Sequence, residues 1–446
     1  MLRDQVHALA IRSSRAIADS VGTRLSRRRA AARMLPLAML LLLSALAQAG
    51  ELAIVNARIL AAPDAEAIER GVLLLRDGRI LAVGPSVEIP EGAERIDAQG
   101  ATAVAGYWNS HVHFIAPPLS GARSRPAGEL SRALSAQYLR WGFTTVFDIA
   151  SMPGNAYALR ERIESGEVTG PAILTVDAPF YPAGGTPIYV LEFDGLGQDA
   201  RAAEVANPGQ ARERAQRQFS EGADGAKLFT GAIVGGDTGV LPMAVDIARA
   251  VSETAHAAGK PVFAHPSNMA GLRAALDGGA DVLSHPAPET GPWTPALLQE
   301  LLERRVALIP SLKLFDIELD KEGVPASAKA HIIGLAQQQV AAYAAAGGMV
   351  LFGTDSGYID WYDTRDELRL MAEAGLDWRQ VLSSLTTAPA QRFGGDDNQG
   401  RLAPGQVADV VLLDADPRGD ITAFAAVREV YRGGRRVYRA MDVAVD

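Results

Sequence analysis

Three features of this chain predict an α/β protein with an eight-stranded β/α barrel and a small β-sandwich. Eight short β-rich runs alternate with helical patterns between residues 105 and 395, the number that closes a TIM-like barrel. The stretches on either side have another texture, short strands joined by tight turns, which places the sandwich at both ends of the mature chain. No Gly-rich phosphate loop follows the first of the eight runs, where a doubly wound open sheet would more often carry one.

Residues 1–49 come first. "RLSRRRAAAR" precedes "MLPLAMLLLLSALAQAG", a basic region, an apolar stretch and the small residues Ala47-Gln48-Ala49. That is the layout of a signal peptide cleaved after Ala49, which exports the protein to the periplasm or beyond. An uncleaved anchor is the alternative, but Met34–Ala47 is short of the roughly 20 apolar residues a bilayer needs. Removed from the membrane by cleavage, the rest is acidic. The leader's eight arginines stand against two aspartates, so a whole-chain charge of −9 leaves −15 on the remainder. Such a body does not suit nucleic acid, whose phosphates need clustered Lys and Arg. A homo-oligomer is compatible with the composition. Cysteine is absent, which excludes disulfides, thiolate metal sites and a lipid-anchored lipoprotein.

Residues 50–104 hold "LAIVNARIL", "GVLLLRDGRILAVG" and "ERIDAQGATAVAG", with "RDGR" (76–79) as a hairpin turn. Residues 396–446 match them with "VADVVLLDADP" and "VREVYRGGRRVYRA", and "LAPGQVAD" (402–409) marks the return. Between them, residues 105–395 form the barrel. Its helical patterns include 208–222, 242–259 and 328–348. The "GGDTG" at 235–239 lacks the Lys-Ser/Thr and dinucleotide patterns of a phosphate loop.

In such a barrel, chemistry sits at the C-terminal ends of the strands. The first run ends in "YWNSHVHF" (107–114), and strand residues i and i+2 share a face, so His111 and His113 aim at one point. The fourth carries Lys227 among apolar neighbours, the fifth ends in His265, the sixth in His285 and the eighth in Asp355. Singly, each has a plainer reading: a core histidine before proline, a snorkelling lysine, a helix cap. Together they converge on one mouth and predict a metal site. His256 and His331 lie in helical patterns and read as surface residues, and Asp148 reads as a structural hydrogen-bonding group. "YPAGGTPIYV" (181–190) overhangs the mouth and offers Tyr189 as a substrate contact.

This ligand series resembles the amidohydrolase superfamily in its two-metal subtype. "GADGAKLFTG" and "GFTTVFDIA" lean toward the imidazolonepropionase-like and Xaa-Pro dipeptidase-like branch. The likeness covers about residues 51–435, including "LTTAPAQRFGGDDNQGRLAPGQVADVVLLDADP". It implies two divalent ions, zinc being expected. His111, His113 and Asp355 would hold one, His265 and His285 the other, and an N6-carboxylated Lys227 would bridge them. A lysine kept neutral by desolvation can add carbon dioxide to give that carbamate. Two ions about 3.5–4 Å apart can share a hydroxide and polarise a carbonyl, with Asp355 as base and then acid. The expected reaction is hydrolysis of a C–N amide bond in a small molecule: an N-acyl amino acid, a dipeptide or a cyclic amide. An esterase, lactonase or phosphotriesterase would use the same ligands. A deaminase fits less well, because Pro-Ser-Asn follows His265 instead of a nearby Glu. "DWYDTRDELRLM" (360–371) lacks a histidine found there in several related enzymes.

Overall fold

The computed structural model of the protein describes residues 51–192, 197–394 and 398–440. The leader, and with it the expected export signal, lies outside the described residues. Among the described residues no helix is long and apolar enough to cross a membrane.

Five strands open the chain: β1 (Leu52–Ile59), β2 (Ile68–Arg76), β3 (Arg79–Gly84), β4 (Glu94–Asp97) and β5 (Thr102–Ala105). Asp77 and Gly78 both take positive φ, 51° and 75°, which is the primed hairpin turn that "RDGR" predicts. The alternating middle supplies β6 (Tyr107–Val112), β7 (Phe143–Asp148), β8 (Ala172–Thr175) and two short pieces, β9 (Tyr181–Pro182) and β10 (Glu204–Val205). It continues with β11 (Ala226–Leu228), β12 (Gly231–Gly235), β13 (Gly239–Pro242), β14 (Val262–Ala264), β15 (Val282–Leu283) and β16 (Ala307–Leu308). The chain closes with β17 (Val410–Leu413), β18 (Val427–Arg432) and β19 (Arg435–Arg439).

Both ends of the chain meet in one sheet. Its order is β19-β18-β17-β5-β1-β2-β3, with β4 alongside β1, and Val411 lies opposite Val104. Ile54, Leu73, Ala103, Val410 and Tyr431 form its buried apolar face. Pairing links these eight strands into a single sheet, assembled from the two flanks as the sequence texture predicts.

The middle is parallel throughout its two main sheets. β6-β7-β8 form one, and β11-β14-β15-β16 the other. Isolated parallel bridges lie at their edges: Phe180 to Leu228, Leu308 to Val350, and Val112 to Ser356. Every residue of β6 and β7 is buried, as strands covered on both faces must be. Helices lie between them. Pro208–Glu221 starts under Asn207, whose side chain accepts from Gln210 N, and stops at Gly222 with φ 106°. One boundary differs from the reading at 242–259. The helix begins at Val245, because residues 239–242 pair with β12 as a hairpin instead. "GGDTG" is therefore the tip of that hairpin.

Candidate metal centre

β6 is tied by its backbone to residues 352–356. Ser110 N donates to Phe352 O, Asp355 N to His111 O and His113 N to Ser356 O, at 2.8, 2.9 and 2.8 Å. Asn109 locks the same junction from inside. Its Oδ1 accepts from His111 N and Thr354 N at 3.2 Å each, and its Nδ2 donates to Thr354 Oγ1 at 2.8 Å. Asp355 is thereby held with φ 59°, a conformation that aspartate tolerates better than most side chains.

Gly357 completes the seam. With φ 95°, it lies so close to β6 that a Cβ there would run into the His113 carbonyl oxygen. Gly357→Ala should therefore cost about 2–5 kcal/mol, from the positive φ and the backbone collision together. A denaturant titration checks this. A variant that unfolds with its parent and keeps its metal affinity would show that the close approach is not needed.

The predicted ligands converge. His111 Nε2, His113 Nε2 and His285 Nε2 lie 3.2, 2.8 and 3.6 Å from the Asp355 carboxylate. His111, His285 and Asp355 offer ligand atoms all within 4.8 Å of one another. The His265 ring centroid is 4.9 Å from that of His285, and the ring stacks on Phe229 at 5.0 Å. Lys227, on β11, is buried, and its Nζ donates to Ser284 Oγ at 2.7 Å.

Burial controls the charges here. It brings His111 down to about 4 and His265 to about 3, and holds His285 well below the usual imidazole range. Each of these imidazoles is therefore neutral, with a free lone pair, as a metal ligand must be. Burial likewise lowers Lys227 to about 7, with Asp355 pulling partly the other way. For Asp355 burial acts upward, but His111 and His113 outweigh it and hold the carboxyl well below its ordinary range.

One contact tests whether these groups suit a cation. His113 Nδ1 lies 2.7 Å from Ala150 O, which can only accept, so the ring proton sits on Nδ1. In a neutral ring Nε2 is then the lone pair, and it faces a carboxylate oxygen at 2.8 Å. Two acceptors at that distance repel each other unless a positive charge is shared between them. Among the described residues His285 Nδ1 is buried and has no hydrogen-bond partner, a polar atom of the cluster left unsatisfied. The cluster fits a metal ion.

Above it opens a cavity of about 1570 Å³. Tyr189 lines it from a short helix (Ile188–Leu191), where the sequence places a substrate contact. Its ring centroid is 5.2 Å from that of Tyr358, whose hydroxyl donates to Glu318 Oε2 at 3.1 Å. Glu318 belongs to the helix Leu312–Lys321, whose first amides, Leu312 N and Lys313 N, donate to the buried Glu367 carboxylate at 2.9 and 2.8 Å. Burial raises Glu367 to about 7. Just before that helix, Ser311 takes φ 41°, with its Oγ 3.4 Å from His111 Nδ1.

Asn109, Ser284, Ser311, Tyr358 and Glu318 escape a reading of the sequence. Only Asn109 leaves a trace there, as an amide inside an apolar run. The remaining predicted non-ligands stay outside the centre. His256 is exposed and pairs with Asp281 at 2.8 Å, and His331 is exposed on its helix. Buried Asp148 accepts from Ser151 and Thr175 hydroxyls at 2.6 and 2.7 Å.

Residues 102–437 match the model of the amidohydrolase family. The chain belongs to that family. It is an enzyme, a hydrolase acting on carbon–nitrogen bonds. This amidohydrolase is 24% identical over 425 residues to an ochratoxinase of Aspergillus niger, covering 86% of each chain. Among solved structures it is similar to a Xaa-Pro dipeptidase with methionine bound in its active site. There the TM-score is 0.74 at 19% identity, over 88% of this chain and 100% of that one. Phenylurea hydrolase B gives a TM-score of 0.69 at 23% identity, over 89% and 99%. At these identities the structural likeness speaks for the fold.

Proposed function

We propose that this amidohydrolase cleaves an amide bond of a small molecule at a centre of two divalent ions, zinc being expected. His111, His113 and Asp355 would hold one ion, His265 and His285 the other, and carboxylated Lys227 would join them. The observation that carries this is Lys227, a buried amine brought near neutrality beside four imidazoles and one carboxylate. We read the two parallel sheets and their three bridges as one closed eight-stranded barrel. The sheet made from both ends is read as its companion sandwich, and the leader as an export signal.

Each residue has a task. The neutral Nζ of Lys227 adds to the carbon of carbon dioxide and loses a proton, leaving a carbamate with two oxygens. Ser284, already hydrogen-bonded to Nζ, sets the direction of that side chain. His113 keeps its proton on Nδ1 against Ala150 O, so Nε2 faces the centre. When bound, divalent ions supply Lewis acidity, acidifying water and polarising a carbonyl. Asp355, ionised and at the floor of the cavity, takes the proton from attacking water. It then returns that proton to the departing nitrogen as the C–N bond breaks.

Protein purified from Gly50 onward should bind about two divalent ions per chain. It should then hydrolyse members of a panel of N-acyl amino acids, dipeptides, simple amides and cyclic amides. Elemental analysis showing at most one ion after metal-replete expression removes the two-ion centre. Turnover of esters or lactones but of no amide removes the amide assignment.

A further inference from the structure

His113 owes its aim to Ala150, whose carbonyl accepts the Nδ1 proton at 2.7 Å. A peptide oxygen can orient a ring only as firmly as it is itself held. Residues on both sides of Ala150 are tied down: Ile149 N donates to Val112 O at 3.1 Å, and Ser151 N to Asp177 O at 2.7 Å. Ser151 is tied a second time. Its Oγ accepts from Phe114 N at 2.9 Å, one residue past His113, and donates to Asp148 Oδ1 at 2.6 Å. Thr175 mirrors it on the next strand, accepting from Asp177 N at 2.8 Å and donating to Asp148 Oδ2 at 2.7 Å.

One carboxylate thus gathers the ends of β6, β7 and β8. Both of its oxygens accept, which is the pattern of an ionised group. Asp148 is fully buried, and among the described residues it has no lysine or arginine as an ion-pair partner. Burial pushes its carboxyl up to about 6, with Ser151 and His113 drawing it back. A buried charge without a counter-ion weakens a fold. Plain stability therefore does not account for an aspartate here. A cation held by His113 would supply the missing counter-charge.

We infer that Asp148 is a positioning residue for the metal centre, acting through Ser151 and the Ala150 carbonyl to aim His113 and strengthen its hold on a cation. This rests on the metal-centre reading above and adds to it a carboxylate that touches no ion. The test is Zn2+ alone, titrated against a chromophoric chelator into protein stripped of metal. Asp148→Asn keeps the shape and removes the charge. It should bind Zn2+ about 10–100-fold more weakly than the parent, the usual worth of a group that supports a metal ligand. The same substitution should leave the denaturant midpoint of the metal-free protein at or above the parent's, because no counter-ion is stranded there. Should Asp148→Asn fail to fold, Ser151→Ala decides, since it cuts the link while keeping the carboxylate. Its Zn2+ affinity should fall, and Ser151→Thr should restore it by returning the hydroxyl. Unchanged Zn2+ affinity in the deciding variant, or a loss at Ser151 that threonine does not restore, overturns the inference and leaves the metal centre standing. An Asp148→Asn whose weaker binding comes with a lower metal-free midpoint overturns it too. A parent that holds no Zn2+ overturns the metal-centre reading itself.

Discussion

Asp355→Asn should lower the rate of hydrolysis by about 10²–10⁴, the usual worth of a positioned general acid–base, while the protein still folds. The backbone argues for folding. Asp355 sits at φ 59°, and asparagine is among the few residues that adopt this conformation routinely. The side chain argues for the loss. An amide keeps an oxygen toward His111 and His113 but cannot accept and return a proton. Circular dichroism and elemental analysis should show a folded protein with at least part of its metal, and kcat should carry the defect. If Asp355→Asn keeps most of the parent's activity, proton transfer belongs to another group.

Lys227→Ala should abolish measurable turnover and release metal, a loss beyond the roughly 10–100-fold seen when outer groups around metal sites are removed. Acetate or propionate should restore part of both, by supplying a carboxylate in the vacated space. Lys227→Arg should not rescue, because guanidinium stays charged and cannot be carboxylated. The pH dependence has a definite sign. Burial places the free amine at about 7, so the neutral, reactive form grows as pH rises through that value. At a fixed concentration of dissolved carbon dioxide, stripped enzyme should accordingly regain activity faster at pH 8 than at pH 6. A lysine that merely packs would tolerate both substitutions and ignore bicarbonate.

The residues that cluster at the centre were legible because each obeys a local rule. His111 and His113 are two apart in a strand, and Lys227 is a cation embedded in an apolar run. His265, His285 and Asp355 close apolar runs of their own. The groups that position them obey no local rule. Asn109 acts through Thr354, Lys227 through Ser284, and Tyr189 meets Tyr358 across the mouth; each pair is brought together only by tertiary structure. Glu367 reads in sequence as one more helix-surface glutamate, yet it caps another helix from inside the protein. The late start of the helix at Val245 has the same origin, since a hairpin partner competes for residues 239–242. Family resemblance divides the ligands between two ions, whereas geometry also draws His111 and His285 around one carboxylate.

The sheet that starts at Leu52 is finished only by strands near Arg439. β5 borders β1 on one side and β17 on the other. On a ribosome adding about 5–20 residues per second, Thr102–Ala105 emerges and then waits, roughly tens of seconds, for Val410–Leu413 to be made. During that wait the backbone amides and carbonyls along one side of β5 are a template for any passing strand. The nascent chain is therefore most vulnerable to wrong pairing late in its synthesis, and the final strands serve as its clasp. A stop codon only a few dozen residues early would spare every predicted metal ligand and still leave that edge permanently open.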